Sequence, residues 1–256
     1  MDKAGCEGTS FLEGLQIHTE KYRVLAFTGG GGKTGLIFRL SEELTALGKK
    51  VIVTTTTHMA FEPERPFAEN GDPEQISRNL EKYGYTLAAR TDWKIGKLCG
   101  LAGERLESLK EECDVLLIEA DGSKRLPLKV PQTWEPVIPD FADAVVGVAG
   151  LDALGRPIRE TAHRPELTAA FLGKKIGDAV TEEDVVIIAS SEKALRKNIG
   201  NRLCRVYLNK ADVLPSPEKA EYICRELGKR GIYGAYGSLR QSWIKSASQK
   251  RKRKWK

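Results

Sequence analysis

Short apolar runs alternate with amphipathic stretches along most of this chain. The runs fall at 24–28, 50–57, 85–90, 114–120, 142–150, 204–211 and 232–239. Six of the seven are bounded on at least one side by glycine or a charged residue, the pattern of buried strands. Between them, apolar positions recur at helical spacing over 33–47, 73–83, 102–112, 165–172, 182–197 and 216–230. In the first of these the repeating positions are Leu36, Ile37, Leu40, Leu44 and Leu47. Thr181 and Asp184 stand three apart, as a capping box requires. Strands that alternate with helices predict an α/β fold of three layers, a mostly parallel sheet with helices on both faces. In such sheets ligands bind beyond the carboxyl ends of the strands. The stretch 121–140 carries four prolines and reads as a long ordered loop, a feature often tied to function.

Candidate chemistry sits where those strands end. After the first run comes Gly29-Gly30-Gly31-Gly32-Lys33-Thr34, then a helix. Strand, glycine loop and helix in this order make a P-loop. Glycines let backbone N–H groups approach phosphate oxygens, and the helix start adds its own free N–H groups and positive dipole end. Lys33 would reach the β- and γ-phosphates, and the Thr34 hydroxyl would bind Mg²⁺. The longer P-loop pattern places glycine where this chain has Phe27, so the loop is the shortened G-x-x-G-K-T form. The second run ends in Thr54-Thr55-Thr56-Thr57-His58. Its hydroxyls at a strand end make Thr55, Thr56 and Thr57 candidates for the metal shell or the γ-phosphate, and His58 a candidate proton carrier. Threonines are also ordinary strand residues.

Four apolar residues lead into Glu119, with Asp121 and Gly122 after it. Carboxylates at that place hold Mg²⁺ or orient attacking water, and a spacing of two puts both on one face of a continuous strand. The run at 204–211 continues into Asn209-Lys210-Ala211-Asp212, the N-K-x-D pattern that reads guanine. The aspartate accepts hydrogen bonds from guanine N1–H and the exocyclic amine, a pair adenine does not offer. His163 and Arg164 precede a proline-led helix start, and an arginine there can stabilise transferring phosphate charge.

Composition narrows the setting. A chain of 256 residues with 41% hydrophobic and 30% charged content suits a globular protein, and no apolar run approaches bilayer length. The first residues hold no continuous apolar stretch of the signal type, which predicts a cytoplasmic location with no membrane partner. Five cysteines without a C-x-x-C pair point to neither a zinc spacing nor a disulfide framework. The net charge of +6 comes from residues 245–256, which hold seven Lys or Arg and no acid; the remaining 34 basic and 35 acidic residues nearly cancel. This basic run is a solvated tail that offers at most weak contact with nucleic acid.

Taken together, GGGGKT, VTTTTHM, EADGS with LPLKVP and EPVIP, GLDALGRPI with HRPE, and LNKAD follow one another as in the YqeC-like proteins, which the chain resembles over about 22–240. These are accessory proteins of selenium-dependent molybdenum hydroxylases. The resemblance implies a P-loop nucleotide-binding protein whose partner is such a hydroxylase or its cofactor-assembly machinery. The Glu119–Gly122 segment with NKAD is also similar to GTPases that assist metal-centre assembly. The short P-loop is similar instead to ATP-dependent amide ligases of cell-wall synthesis. The expectation is a helical extension over 1–21, a P-loop domain over 22–240 and a basic, disordered tail over 241–256. That domain would bind GTP, or ATP, with Mg²⁺ through Gly29–Thr34, Glu119, Asp121, Asn209, Lys210 and Asp212. Two alternatives stay open: a ligase or kinase acting on a small cofactor precursor, and a nucleotide-sensing chaperone with little turnover.

Overall fold

A computed structural model describes residues 9–94 and 96–246. The strands are β1 (Val24–Gly29), β2 (Val51–Thr55), β3 (His58–Ala60), β4 (Phe67–Glu69), β5 (Tyr85–Asp92), β6 (Lys97–Cys99), β7 (Val115–Glu119), β8 (Leu128–Lys129), β9 (Ala144–Gly150), β10 (Ala162–His163), β11 (Leu203–Asn209), β12 (Gly234–Ser238) and β13 (Trp243–Ser246). The helices are α1 (Phe11–Gly14), α2 (Lys33–Ala46), α3 (Pro73–Tyr83), α4 (Gly103–Ser108), α5 (Ile158–Thr161), α6 (Pro165–Leu172), α7 (Glu182–Ser190) and α8 (Glu218–Lys229). The main sheet runs β13-β12-β11-β9-β1-β7-β2-β5-β6-β3, with β4 beside β5. Its centre is parallel, and antiparallel pairs occur where β13, β6 and β3 extend it.

Strand alternation builds both layers. On β1, Leu25 and Phe27 pack with Leu36, Ile37 and Leu40 of α2, while Val24 and Ala26 join Ile52, Leu116 and Ile118 on the other face. A third apolar cluster joins Val206 and Leu208 of β11 to α7 and α8. Strands buried on both faces read as continuous apolar runs, as parallel strands do. This is the three-layer α/β arrangement the periodicity predicts.

Local chemistry explains where the helices begin and end. Asp72 caps α3 by accepting from the Gln75 N–H at 2.8 Å, Pro73 opens the helix, and Gly84 closes it at φ 75°. The capping box of α7 forms from Thr181 and Asp184. This helix stops at Ser190, short of the predicted 197, because Ser191 is extended and its hydroxyl accepts from the Lys193 N–H at 3.0 Å. The predicted helix over 102–112 is α4 followed by a 3₁₀ turn at Leu109–Glu111. The predicted strand over 50–57 ends at Thr55, and the chain turns before β3.

The sheet reaches past residue 240. Trp243–Ser246 forms β13 on the edge of β12, inside the stretch assigned to the tail. Residues 247–256, the rest of that tail, and residues 1–8 lie outside the described residues. Within the predicted N-terminal extension α1 is one short helix, whose Phe11 stacks edge-on with Tyr207 at 5.8 Å. A side chain at Gly14 would collide with Ile244 of β13, and Tyr233 Oη donates to the Gly14 carbonyl at 2.9 Å. Among the described residues no helix is long and apolar enough to cross a membrane.

Candidate phosphate and metal site

The glycine loop lies at the carboxyl end of β1, between the ends of β7 and β9. Gly31 sits at φ 72°, and a Cβ there would stand 2.2 Å from the Gly150 backbone nitrogen. Gly32 caps α2 at φ 124°, and its Cβ would stand 2.5 Å from Asn209 Nδ2. Neither place admits a side chain. The loop is held by its own N–H groups: Gly29 donates to Asp121 Oδ2 at 3.1 Å, Gly30 to the Val148 carbonyl at 2.8 Å, and Gly31 to the Leu126 carbonyl at 3.0 Å. These three anchor the loop. The N–H groups with no intrahelical acceptor are those at the start of α2, Gly32 to Gly35. Gly32 and Thr34 are half-buried there and Gly35 is exposed.

Lys33, Thr34, Glu119 and Asp121 converge at that helix start. Lys33 is 3% exposed. Its Nζ donates to the Gly29 carbonyl at 2.6 Å and lies 3.1 Å from Asp121 Oδ1 and 3.9 Å from Glu119 Oε1. Thr34 Oγ1 donates to Glu119 Oε2 at 2.7 Å. Asp121 Oδ1 is buried and accepts no hydrogen bond. Burial lifts the Glu119 carboxyl above the usual range, against the pull of Lys33 and Thr34. A hydroxyl and two carboxylates, one with a buried oxygen whose partner is the Lys33 ammonium alone, form the hard-oxygen set that Mg²⁺ prefers, so these residues fit that ion.

Behind this group runs a chain of charges in which Arg164 and His163 were expected from the sequence and Lys129 and Glu135 were missed. Lys129, fully buried on β8, places Nζ 3.2 Å from Asp121 Oδ2, 3.0 Å from Glu135 Oε1 and 2.6 Å from the Gly122 carbonyl. Arg164 grips Glu135 through two bonds of 2.6 and 3.3 Å. Burial pushes the Glu135 carboxyl upward, but Arg164, Lys129 and the Gln132 N–H together bring it down to about 2. His163 pairs with Lys129 across the two-stranded sheet, and burial with its cationic neighbours drives its pKa down to about 4. His163 is therefore neutral at pH 7. The sequence signal for Lys129 was a lysine between the apolar Leu128 and Val130 in a proline-bounded run.

The N-K-x-D residues divide their tasks. Asn209 is buried at the end of β11; its Nδ2 donates to the Gly31 carbonyl at 2.8 Å, and its Oδ1 accepts from the Leu239 N–H at 3.2 Å and from Tyr207 Oη at 3.3 Å. It braces the glycine loop. Lys210, at φ 64°, pairs with Asp152 at 2.7 Å. Asp212 is half-buried in the 3₁₀ turn that follows.

The threonine run mostly fastens strand ends. Thr55 Oγ1 donates to the Glu119 carbonyl at 2.9 Å and Thr56 Oγ1 to the Val137 carbonyl at 2.7 Å. Thr57 Oγ1 is buried with no hydrogen-bond partner. His58 opens β3 in an exposed position.

The profile of the YqeC protein family matches residues 25–166, from β1 through Arg164 to the start of α6. The chain is also similar to "Uncharacterized protein YqeC" of Escherichia coli (strain K12), 34% identical over 190 residues, which cover 72% of this chain and 74% of that protein. The chain therefore belongs to the YqeC family.

Proposed function

We propose that this protein binds a purine nucleotide with Mg²⁺, GTP in preference to ATP, and hydrolyses it in the service of selenium-dependent molybdenum hydroxylase maturation. The observation that carries the nucleotide reading is the convergence of Lys33, Thr34, Glu119 and Asp121 on the start of α2. In this reading the N–H groups of Gly32 to Gly35 take phosphate oxygens. Lys33 exchanges its carbonyl and carboxylate contacts for the β- and γ-phosphates. Thr34 and Glu119 or Asp121 hold Mg²⁺, which neutralises phosphate charge when bound. Whichever of Glu119 and Asp121 is not on the ion orients the attacking water near the γ-phosphate. With Asn209 committed to the loop, base choice falls to Asp212, whose carboxylate suits guanine. The hydroxylase role rests on family resemblance and on no side chain described above.

The test is calorimetry of GTP and ATP with Mg²⁺ for the wild type, Lys33→Ala and Asp212→Ala. The expected result is tighter GTP binding, loss of that preference in Asp212→Ala, and loss of both nucleotides in Lys33→Ala. Equal or better ATP binding by the wild type removes the guanine reading and turns the search to ligase or kinase acceptors. Absence of binding removes the functional reading altogether.

A further inference from the structure

At the β5-β6-β3 end of the main sheet, three strands bring a histidine, an aspartate and a cysteine together. His58 and Cys99 are direct cross-strand partners on β3 and β6. On β5, Asp92 is diagonal to Cys99, because Cys99 pairs with Arg90 two residues earlier. Alternation puts all three on one face of the sheet, while Met59, Leu98 and Thr91 turn to the other and are buried. One imidazole nitrogen, one carboxylate oxygen and the thiol sulfur all lie within 4.8 Å of one another. His58 is exposed, Asp92 half-buried and Cys99 only 6% exposed, so the cluster opens to solvent on one side.

We propose that His58, Asp92 and Cys99 form a binding site for a borderline-soft divalent cation, Zn²⁺ foremost. The donor set supports that choice. Mg²⁺ and Ca²⁺ take oxygen ligands, whereas thiolate and imidazole with one carboxylate suit Zn²⁺. Tetrahedral Zn²⁺ with bonds of about 2.0–2.3 Å sets its donors roughly 3.3–3.8 Å apart, a small closure from the observed spacing. The exposed His58 side chain is the one free to make that closure. The Lys94 N–H donates to Asp92 Oδ1 at 3.0 Å, which orients the carboxylate and leaves its second oxygen for the ion. Three protein ligands leave the fourth position to water or to an incoming group, the arrangement of a reactive or transfer site rather than a structural one. Burial pushes the Cys113 and Cys224 thiols up to about 12, so neither competes as a thiolate. The site does not depend on the nucleotide reading.

The experiment uses the full chain, stripped with chelator and titrated with Co²⁺ and then Zn²⁺. Expected are a thiolate-to-cobalt charge-transfer band with tetrahedral visible bands, saturation at about one equivalent, and displacement by Zn²⁺. Cys99→Ser abolishes the charge-transfer band, and the exposed His58→Gln weakens Co²⁺ binding by at least about tenfold with an unchanged far-ultraviolet spectrum. Cys204→Ser leaves the titration as in the wild type. A wild type without the band, a band that survives in Cys99→Ser, or His58→Gln binding as tightly as wild type overturns the assignment.

Discussion

Asn209 separates two accounts of the N-K-x-D segment, and its removal distinguishes them. As a base reader, Asn209 matters only when guanine is present. As a brace, it matters to the empty protein. Asn209→Ala removes the 2.8 Å bond to the Gly31 carbonyl and the bonds from the Leu239 N–H and Tyr207 Oη. The Tyr207 bond is long, and its loss adds little. The other two leave one buried and one half-buried backbone group without that partner, at about 1–2 kcal/mol each. The sum is about 2–4 kcal/mol, and in a chain of this size that lowers Tm by roughly 5–12 °C. The assay is a thermal melt without nucleotide, followed by calorimetry with GTP and with ATP. The brace account expects the lower Tm and a similar fractional loss of affinity for both nucleotides. An unchanged melt together with a loss confined to GTP refutes it.

Glu135 carries an acid signature. Its folded pKa of about 2 lies below the ordinary 4.5, so its stabilisation is complete above pH 4.5 and is lost as pH falls through 2. With its Arg164 partner 27% exposed, we expect about 2 kcal/mol after allowing for screening. Urea melts between pH 5 and 2.5 should show a steeper loss of stability in the wild type than in Glu135→Gln; parallel profiles would sink this account. Gly31→Ala meets the Gly150 backbone and a positive φ together, so we expect the glycine loop to distort and phosphate affinity to drop at least tenfold. Wild-type binding of inorganic pyrophosphate by that variant would contradict the geometry.

The sheet was legible because its strands are buried on both faces and read as unbroken apolar runs. The glycine loop, Glu119 and Asp121 were legible because each sits one or two residues past such a run. Lys129 and Glu135 were not, since a buried ion pair shows in sequence only as a charge inside an apolar context. The His58, Asp92 and Cys99 group was hidden for another reason. Its members are brought together by the register of three strands, and no sequence spacing encodes that register. The bracing bonds of Asn209 were not legible, because a motif names a residue type without saying which way the amide faces. The end of α7 was overestimated because the apolar spacing continues past Ser190, while Ser191 leaves the helix through a local side-chain bond.

The clasp between α1 and β13 joins opposite ends of the chain. Arg205 Nε also donates to the Leu15 carbonyl at 2.8 Å, so α1 is fixed to the sheet through β11 and β12 as well. Each terminal segment loses a close-packed partner, Gly14 or Ile244, once the other detaches. Their amides should therefore exchange with solvent as one cooperative unit, at one shared opening free energy, despite their separation in sequence. A truncation that begins at residue 241 removes half of that unit and loosens the other half. A truncation that begins at 247 keeps all of β13. Any dissection of the lysine-rich end has to cut on the far side of this junction if it is to report on charge rather than on fraying.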